Sequence, residues 1–336
     1  MNVSYKTELG SASCGDSRNL LAELQDETVN LVMTSPPFAL QRQKDYGNVD
    51  QDGYIDWLTD FARLVHKKLR GDGSFVIDLG GAYMKGTPAR SLYNFRTLIR
   101  FCDDVGFFLA EDFYWFNPSK LPSPIEWVNK RKMRAKDSVN TVWWLSKTPW
   151  PKADITKVLT EYSPRMKKLL ADPGAFYKPK LRPSGHDISA GFGKDNGGAL
   201  PSNLLQISNS ESNGQYTKFC KLLGTEMHPA KFPEALPEFF IRLLTDPGDM
   251  VVDIFAGSNT TGRVADRLGR RWQSFEERLE YVAASVFRLL PADISDDVVR
   301  DIYEKILQGE CVDIGSYVRQ QSFLTTESGL PSRSAD

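Results

Sequence analysis

The feature that most constrains the fold of this chain is an apolar run that ends in two consecutive prolines. Residues 29–33 are predicted to form a buried strand, and Thr34-Ser35-Pro36-Pro37-Phe38 follow it directly. Each proline fixes its own φ and lacks a backbone N–H, so the carbonyls there are held as outward-pointing acceptors. At the carboxyl edge of an open α/β sheet, where ligands bind, such a segment suits a flat molecule with an amino group. By itself it is also compatible with a plain Pro-Pro turn.

A second apolar run, residues 250–254, leads into a turn of small residues and then into helical spacing. Gly257 would let the backbone approach a ligand, and Gly262 would let the helix pack against the strand. Glu276 follows Asp253 by 23 positions, at the end of the next apolar run. Dinucleotide-type folds place the acid that binds ribose hydroxyls at about this distance. An ordinary turn between strand and helix is the alternative for this segment alone.

The two glycines of this turn also have the separation of a phosphate-binding loop. However, Arg263 and Val264 stand where that loop requires Lys and then Ser or Thr, which argues against a nucleoside triphosphatase. A strand, turn and helix with a ribose acid but no phosphate lysine favours S-adenosylmethionine, which has a ribose and an adenine but no phosphate.

Taken together, the proline segment and residues 253–262 resemble the DNA amino-methyltransferases, specifically those that make N4-methylcytosine. The proline segment precedes the cofactor turn, as in the permuted β group, and within it the chain resembles the PvuII-type enzymes. The resemblance extends from residue 15 to about residue 290 and includes residues 113–118, 142–145 and 228–233. It implies a doubly wound, mostly parallel, Rossmann-like methyltransferase sheet that is circularly permuted and carries an irregular target-recognition insertion.

The expected organisation has four parts. Residues 1–149 form the catalytic half of the methyltransferase domain, 150–222 the target-recognition region, 223–292 the cofactor-binding half, and 293–336 a C-terminal extension. The recognition region is rich in Pro, Gly, Ser, Asn and Lys and has weak periodicity. The Ser- and Thr-rich tail after Gln320 is expected to be disordered.

Periodicity also predicts individual elements of the sheet and its helices. A helix over residues 54–69 is expected to end at Gly71 and Gly73, and a strand over 74–79 follows. Two strands, 109–116 and 139–145, are expected to form a hairpin at the edge of the sheet. Further elements are expected as helices at 92–101, 232–244, 259–268, 278–290 and 294–307, and strands at 250–254 and 272–276.

The predicted catalytic residues surround the exocyclic amine of a base that has been flipped out of the duplex. Ser35 Oγ and the carbonyl of Pro36 are expected to accept the amino hydrogens, Pro37 to stiffen the segment, and Phe38 to stack on the base. Asp78, at the end of a neighbouring strand, is the candidate carboxylate for accepting a proton or hydrogen bond, with a loop-capping role as the alternative. Methylation at carbon 5 would need a cysteine nucleophile, and none of the four cysteines follows a proline.

The predicted S-adenosylmethionine site combines the turn after the second strand with residues implied by the resemblance. Asp16 is placed near the adenine, and the segment that begins with His228 and Pro229 is placed over the methionine end; a helix N-terminus is the alternative for that segment. The full set of cofactor-binding candidates is Asp16, His228, Pro229, Asp253, Phe255, Gly257, Ser258, Asn259, Thr260 and Glu276.

Charge is distributed unevenly along a chain whose net charge is only −1. Residues 118–182 carry 15 Lys and Arg against 5 Asp and Glu, which predicts a local surface for DNA phosphates. A solvated charged face is the alternative. The candidate contacts are Lys120, Arg131, Lys132, Arg134 and Lys136.

Composition narrows the remaining function classes. At 336 residues and 41% hydrophobic residues, the chain has no apolar run that approaches the roughly 20 residues of a membrane span, and its start lacks a signal-peptide profile. The four cysteines and three histidines are too scattered for a zinc site or a disulfide framework, so no metal is expected. We expect a cytoplasmic, nucleoid-associated enzyme of a bacterial or archaeal cell.

The resemblance implies duplex DNA as the partner, and a cognate restriction endonuclease that is genetically linked but not bound. Likeness to the PvuII type makes a palindromic hexamer such as CAGCTG the expected target. Two other functions remain open: an N6-adenine methyltransferase of the same fold, and a catalytically silent DNA-binding module that retains the fold. The intact segment from Ser35 to Phe38, together with Glu276, argues against the silent module.

Overall fold

Strands from both ends and from the middle of the chain join one mixed sheet. The structure is a computed structural model that describes residues 2–38, 51–172, 194–210 and 214–317. In these residues the strands are β1 (Val3–Lys6), β2 (Gly10–Cys14), β3 (Val29–Thr34), β4 (Leu69–Leu79), β5 (Phe108–Phe116), β6 (Val139–Ser146), β7 (Leu204–Gln206), β8 (Met250–Asp253), β9 (Arg271–Glu276) and β10 (Val312–Asp313). Their order is β10-β1-β2-β9-β8-β3-β4-β6-β5-β7, and all pairings are parallel except β1–β2, β4–β6 and β5–β6.

Helices cover both faces of this sheet, as the doubly wound prediction requires. The α-helices are α1 (Ser17–Glu23), α2 (Gln51–Lys68), α3 (Tyr93–Arg100), α4 (Pro164–Ala171), α5 (Gln215–Leu223), α6 (Ala235–Leu244), α7 (Thr260–Arg267), α8 (Leu279–Ser285) and α9 (Asp296–Leu307). Side chains of successive strand residues point to opposite faces. Accordingly, in β4, Val76 packs in one hydrophobic cluster while Phe75 and Ile77 pack in the other. The two clusters confirm a sheet buried on both sides.

The sheet order explains how two motifs that are far apart in sequence become neighbours. β8, which comes late in the chain, lies next to β3, with Leu31 paired to Val251 and Val32 to Val252. Because the two strands are parallel, the proline segment after β3 and the small-residue turn after β8 emerge at the same edge. This arrangement confirms the permuted, mostly parallel methyltransferase sheet.

Most predicted elements are confirmed, but two expectations are wrong: where the helix after residue 54 ends, and where the hairpin lies in the sheet. Gly71 and Gly73 do not end the helix, because α2 ends at Lys68 and β4 already begins at Leu69, so both glycines lie within the strand. The hairpin of β5 and β6 forms as predicted, but it is not at the sheet edge, because β7 pairs with the free side of β5. Sequence periodicity also missed β1, β2 and β10, which are short and carry small or polar residues.

The segment expected to recognise the target is partly built into the fold. Within its described residues, β7 extends the sheet, and Tyr216, Phe219 and Cys220 of α5 are buried in one of the two hydrophobic clusters. Residues 173–193 and 211–213 lie outside the described residues, as does the tail after Gln320. The described part of the C-terminal extension packs through Val299 and Ile306 of α9 and pairs β10 with β1. Among the described residues, no helix is long and apolar enough to cross a membrane.

Candidate active site

A cavity of about 240 Å³ opens at the carboxyl ends of β3, β8 and β9. It brings together most of the residues predicted from sequence, including both the proline segment and the cofactor turn. The predicted residues that line it are Asp16, Ser35, Pro36, Pro37, Phe38, His228, Phe255, Gly257, Ser258, Thr260 and Glu276. Asp78, Pro229, Asp253 and Asn259 do not line it. Three of these residues bond to residues that do line it: Asp78 to Ser35, Asp253 to the backbone of Phe255, and the backbone of Asn259 to Ala256.

Asp253 ties the ends of the two central strands together beneath the cavity. Its carboxylate accepts hydrogen bonds from Thr34 Oγ1 and Thr261 Oγ1, each at 2.6 Å, and from the backbone N–H of Phe255 at 3.1 Å. Burial raises the pKa of this carboxyl, and the three donors act against that rise. Asp253 therefore sets the path of the chain into the cofactor turn.

Asn259 plays a similar supporting role at the start of α7. It adopts a left-handed conformation, with φ of 56°, and its side-chain oxygen accepts from the N–H of Gly262 at 3.1 Å and from Ser274 Oγ at 2.6 Å. A Cβ at Gly262 would lie 2.2 Å from that oxygen, so the glycine allows the close helix packing predicted from sequence. Buried Tyr5, in a strand that sequence periodicity missed, accepts from Asn259 Nδ2 at 2.8 Å.

Glu276 closes the cofactor turn from the end of β9. Its Oε2 accepts the backbone N–H of Gly257 at 2.9 Å, and its Oε1 accepts that of Arg278 at 3.1 Å. Burial raises the pKa of the carboxyl, and both backbone donors oppose this effect. A carboxylate has about four acceptor sites, so Glu276 can hold the turn and still accept a ligand hydroxyl in the cavity.

Asp16 and His228 line the cavity from opposite parts of the chain. Asp16 caps α1 by accepting from the N–H of Arg18 at 2.8 Å, and the Arg18 guanidinium holds the pKa of the Asp16 carboxyl below its usual value. His228 donates its backbone N–H to the Tyr216 hydroxyl at 2.9 Å, and its Nδ1 lies 2.7 Å from the carbonyl of Ala230. Burial lowers the pKa of the imidazole to about 4, so it is neutral near pH 7.

The His228 ring also explains why a glycine stands at position 257. Gly257 has a φ of 51°, and a Cβ there would come within 2.9 Å of His228 Cε1. Close approach of the backbone is therefore required here. The group that lies against the Gly257 backbone is the His228 imidazole, which also lines the cavity.

Ser35 and Asp78 form the polar centre of the proline segment. Ser35 Oγ donates to Asp78 Oδ2 at 3.0 Å, and Asn140 Nδ2 donates to Asp78 Oδ1 at 3.1 Å. Asp78 is buried, and burial raises the pKa of its carboxyl to about 6. The Phe38 ring lies against Gly80, where a Cβ would come within 2.4 Å of Phe38 Cε2. The glycine after β4 therefore makes room for the aromatic ring.

Two aromatic residues of α2 line the cavity but were not predicted as site residues. Trp57 and Phe61 line it from α2, and their ring centroids lie 5.5 Å and 4.9 Å from that of Phe255. In the sequence both belong to the apolar stripe of a helix, which is the signal of an ordinary core face. Only the position of α2 beside the cofactor turn reveals that they form part of an aromatic wall of the cavity.

The predicted DNA contacts lie between β5 and β6, outside the cavity, and differ in exposure. Arg131 is exposed, pairs with Glu126 at 3.0 Å and stacks over Trp127, while Arg134 stacks over Tyr83 at 4.7 Å from its centroid. Lys132 and Lys136 are also exposed. Arg134 and Lys120 are half-buried, and Lys120 differs in that its Nζ lies 3.3 Å from Asn140 Oδ1. The described residues contain no group of three or more His, Cys, Asp or Glu side chains that could hold a metal ion.

This fold and this cavity define an S-adenosylmethionine-dependent DNA amino-methyltransferase. The family model described as DNA methylase (N6_N4_Mtase) matches residues 29–287, and the chain belongs to this family. It is 67% identical over 314 residues to the type II methyltransferase M.PvuII of Proteus hauseri, covering 94% of each chain. It is 26% identical to the DNA adenine methyltransferase YhdJ of Escherichia coli K12, over 82% of this chain and 81% of that protein.

A solved structure extends the comparison to three dimensions. The structure named PvuII DNA methyltransferase (cytosine-N4-specific) matches with a TM-score of 0.77 and 58% sequence identity, over 93% of this chain and 98% of that chain. Family, fold and cavity therefore agree on a DNA methyltransferase that uses S-adenosylmethionine.

Proposed function

We propose that this methyltransferase modifies the exocyclic N4 of a flipped cytosine in duplex DNA, at one specific site. The observation that carries the proposal is the hydroxyl of Ser35 at the cavity, hydrogen-bonded at 3.0 Å to the buried carboxylate of Asp78. The high identity to M.PvuII, and the cytosine-N4 specificity named for the matching structure, support cytosine over adenine.

The cavity suits S-adenosylmethionine in three respects. Glu276 offers a carboxylate for ribose hydroxyls. Trp57 and Phe61 offer an aromatic wall against which a ring can pack, and the turn at Gly257 and Ser258 offers close backbone approach. When bound, the cofactor supplies an electrophilic methyl group, which the amine accepts as the bond to sulfur breaks. Asp253 and Asn259 would act beneath the site by holding the turn.

Ser35 would position the amine and relay its proton to Asp78, rather than act as a base by itself. Because its O–H is donated to Asp78, the lone pairs of its oxygen are left to accept an amino hydrogen, together with the carbonyl of Pro36. Holding the nitrogen in line with the methyl group is the largest expected contribution, since oriented reactants lower a barrier by roughly 7–11 kcal/mol. Phe38, backed by Gly80, would stack on the flipped base.

Asp78 would receive the proton that the methylated nitrogen releases. That proton passes to Ser35 Oγ as the serine gives its own proton to Asp78 Oδ2, so the serine ends unchanged and the carboxylate ends protonated. The carboxylate must be ionised to accept it. Because the pKa of Asp78 is raised to about 6, the reaction should be fastest above that pH and slow as Asp78 protonates below it.

The basic segment would bind phosphates, and the irregular insertion would read the target. The first role is assigned to Arg131, Lys132, Arg134 and Lys136. It is supported by the exposure of all but the half-buried Arg134 and by the stacked guanidinium groups of Arg131 and Arg134. Residues 150–222 carry the second, between the catalytic half at 1–149 and the cofactor half at 223–292. The C-terminal extension at 293–336 would brace β1. We further propose that the target site is CAGCTG and that the protein acts in the cytoplasm, at the nucleoid. A cognate restriction endonuclease would be genetically linked to it but not bound.

One experiment tests the modified base and the role of Ser35 together. The protein is expressed in cells that lack DNA methylation, and their DNA is both sequenced for modified bases and hydrolysed for mass spectrometry. N4-methylcytosine at one palindromic site is expected, and N6-methyladenine would instead make this an adenine enzyme. Ser35→Ala should lower methyl transfer on the order of 100-fold while S-adenosylmethionine affinity stays the same. Equal loss of both would remove Ser35 from the catalytic role.

A further inference from the structure

The carboxylate of Asp78 has a second polar neighbour on the oxygen that Ser35 does not use. Asn140 Nδ2 donates to Asp78 Oδ1 at 3.1 Å, and the side-chain oxygen of the same amide accepts from Lys120 Nζ at 3.3 Å. Ser35, Asp78, Asn140 and Lys120 therefore form one connected chain of hydrogen bonds. It runs from the cavity through β4 and β6 to the segment that joins β5 and β6.

We infer that Asn140 and Lys120 are positioning residues of the active site, which orient the Asp78 carboxylate toward Ser35 and keep it ionised for methyl transfer. The inference rests on the proposed role of Asp78 as the proton acceptor. It gives Lys120 a different task from the phosphate contact predicted from its sequence. The contact between Lys120 Nζ and Asn140 Oδ1 supports this difference, because Arg131 of the same segment pairs instead with the surface acid Glu126.

The charges around Asp78 support the same conclusion. Burial raises the pKa of its carboxyl, while hydrogen bonds from Ser35 and Asn140 and the charge of Lys120 lower it. Tyr93 faces Asp78 from α3, but burial raises the pKa of this phenol, so it is neutral, and its hydroxyl donates to the carbonyl of Gly80. Of the described residues that shift the pKa of Asp78, Lys120 is the cation. It therefore offsets part of the cost of burying a negative charge.

The segment that carries Lys120 is itself held in place by its own backbone contacts. Lys136 Nζ donates to the carbonyls of Lys120 and Pro118, each at 3.2 Å. These bonds fix the backbone from which the Lys120 side chain extends, with Asn140 Oδ1 within reach of its ammonium. The position of Lys120 is thus a property of the folded segment, and is present before DNA binds.

The test is the pH dependence of methyl transfer in a single turnover, with saturating enzyme and cofactor on a duplex that contains the modified site. Profiles are measured from about pH 5 to 8, which spans the pKa of Asp78. In Lys120→Met and in Asn140→Ala the acid limb should move to higher pH by about 0.5–1 unit, because the carboxylate loses a cation or a donor. Lys120→Arg keeps the charge and should restore most of the wild-type profile.

Lys130→Met is the matched control. Lys130 lies in the same segment, is exposed and pairs with Glu126, so its loss removes one positive charge without touching Asp78. Its acid limb should coincide with that of the wild type. Calorimetric S-adenosylmethionine affinity, unchanged in every variant, shows that each is folded; if Asn140→Ala does not fold, the two Lys120 variants decide.

The outcomes separate this inference from the role proposed for Asp78. If the acid limb persists in Asp78→Asn, Asp78 is not the titrating group and its proposed role fails. If the limb disappears in Asp78→Asn but stays in place in Lys120→Met and Asn140→Ala, the inference alone is wrong. A Lys120→Met variant with an unmoved limb, whose slope of log affinity against log salt is flatter by about 0.9, would show that Lys120 contacts a phosphate.

Discussion

Two polar regions of this molecule, the cofactor turn (residues 253–262) and the basic segment (residues 118–138), are built in opposite ways. In the cofactor turn, Asp253, Asn259 and Thr261 are at most 1% exposed, and their hydrogen bonds reach back to other strands. In the basic segment, all of whose residues are described, Ser138 alone is buried. Lys130 and Arg131 instead pair with Glu126, and the guanidinium groups of Arg131 and Arg134 stack on Trp127 and Tyr83.

The difference follows from what each region has to bind. A small cofactor must be held in one orientation, so the turn is fixed by buried hydrogen bonds that are costly to break. DNA phosphates are contacted by mobile, solvated charges whose contribution is electrostatic and sensitive to salt. Substitutions in the turn should therefore affect stability and cofactor affinity, whereas substitution of Arg131 or Arg134 in the basic segment should affect DNA binding alone. Lys120 is the exception in that segment, because its ammonium contacts Asn140.

The largest expected effect is on stability, when Asp253 is replaced. Asp253→Ala leaves Thr34, Thr261 and the N–H of Phe255 without their acceptor, which should lower the free energy of unfolding by about 2–4 kcal/mol. Denaturant unfolding measures this change. Arg131→Ala, from the other region, should stay within about 0.5 kcal/mol of the wild type. If both variants lost the same free energy of unfolding, the proposed difference between the two regions would be wrong.

A smaller effect is expected on cofactor affinity, when Glu276 is replaced. Glu276→Ala removes a charged acceptor for ribose hydroxyls and the partner of the Gly257 N–H, so S-adenosylmethionine binding should weaken by about 1–3 kcal/mol. Isothermal calorimetry gives the affinity. Glu280→Ala is the control, since Glu280 is exposed and does not line the cavity. Unchanged affinity in Glu276→Ala would place the ribose elsewhere in the cavity.

The smallest expected effect is on DNA binding, when two arginines of the basic segment are replaced. Arg131→Ala combined with Arg134→Ala should weaken binding to all duplexes alike and flatten the slope of log affinity against log salt by about one to two units. Target preference should survive, because phosphate contacts position while base contacts specify. The control pair, Arg63→Ala with Arg70→Ala, removes the same charge outside this segment and should keep the wild-type slope.

An altered target preference with an unchanged salt slope would contradict that prediction. It would show that Arg131 and Arg134 read bases, and the assignment of recognition to residues 150–222 would then fail. The contrast between the two regions would remain, but the basic segment would have to be counted as part of the recognition surface.

Much of the cavity could be predicted because its signals are local. The strand before Ser35, the small-residue turn at Gly257 and the acid at Glu276 each appear within a few residues of sequence. Their convergence follows from the edge at which parallel strands end. Trp57 and Phe61 could not be predicted, because an apolar helix stripe looks the same in sequence whether it faces a core or a cavity.

The sequence by itself determined the family, the doubly wound sheet and the proline segment and cofactor turn that line the cavity, since patterns of apolar, proline and glycine residues act over short distances. Only the tertiary structure decided which polar residues act as supports. Asp253 bonds to Thr34 and Asn140 bonds to Asp78 across separations of 219 and 62 positions. Strand order and register set these partners, and they also place β7 beside β5. No local sequence pattern encodes the order or the register of strands that are far apart in the chain.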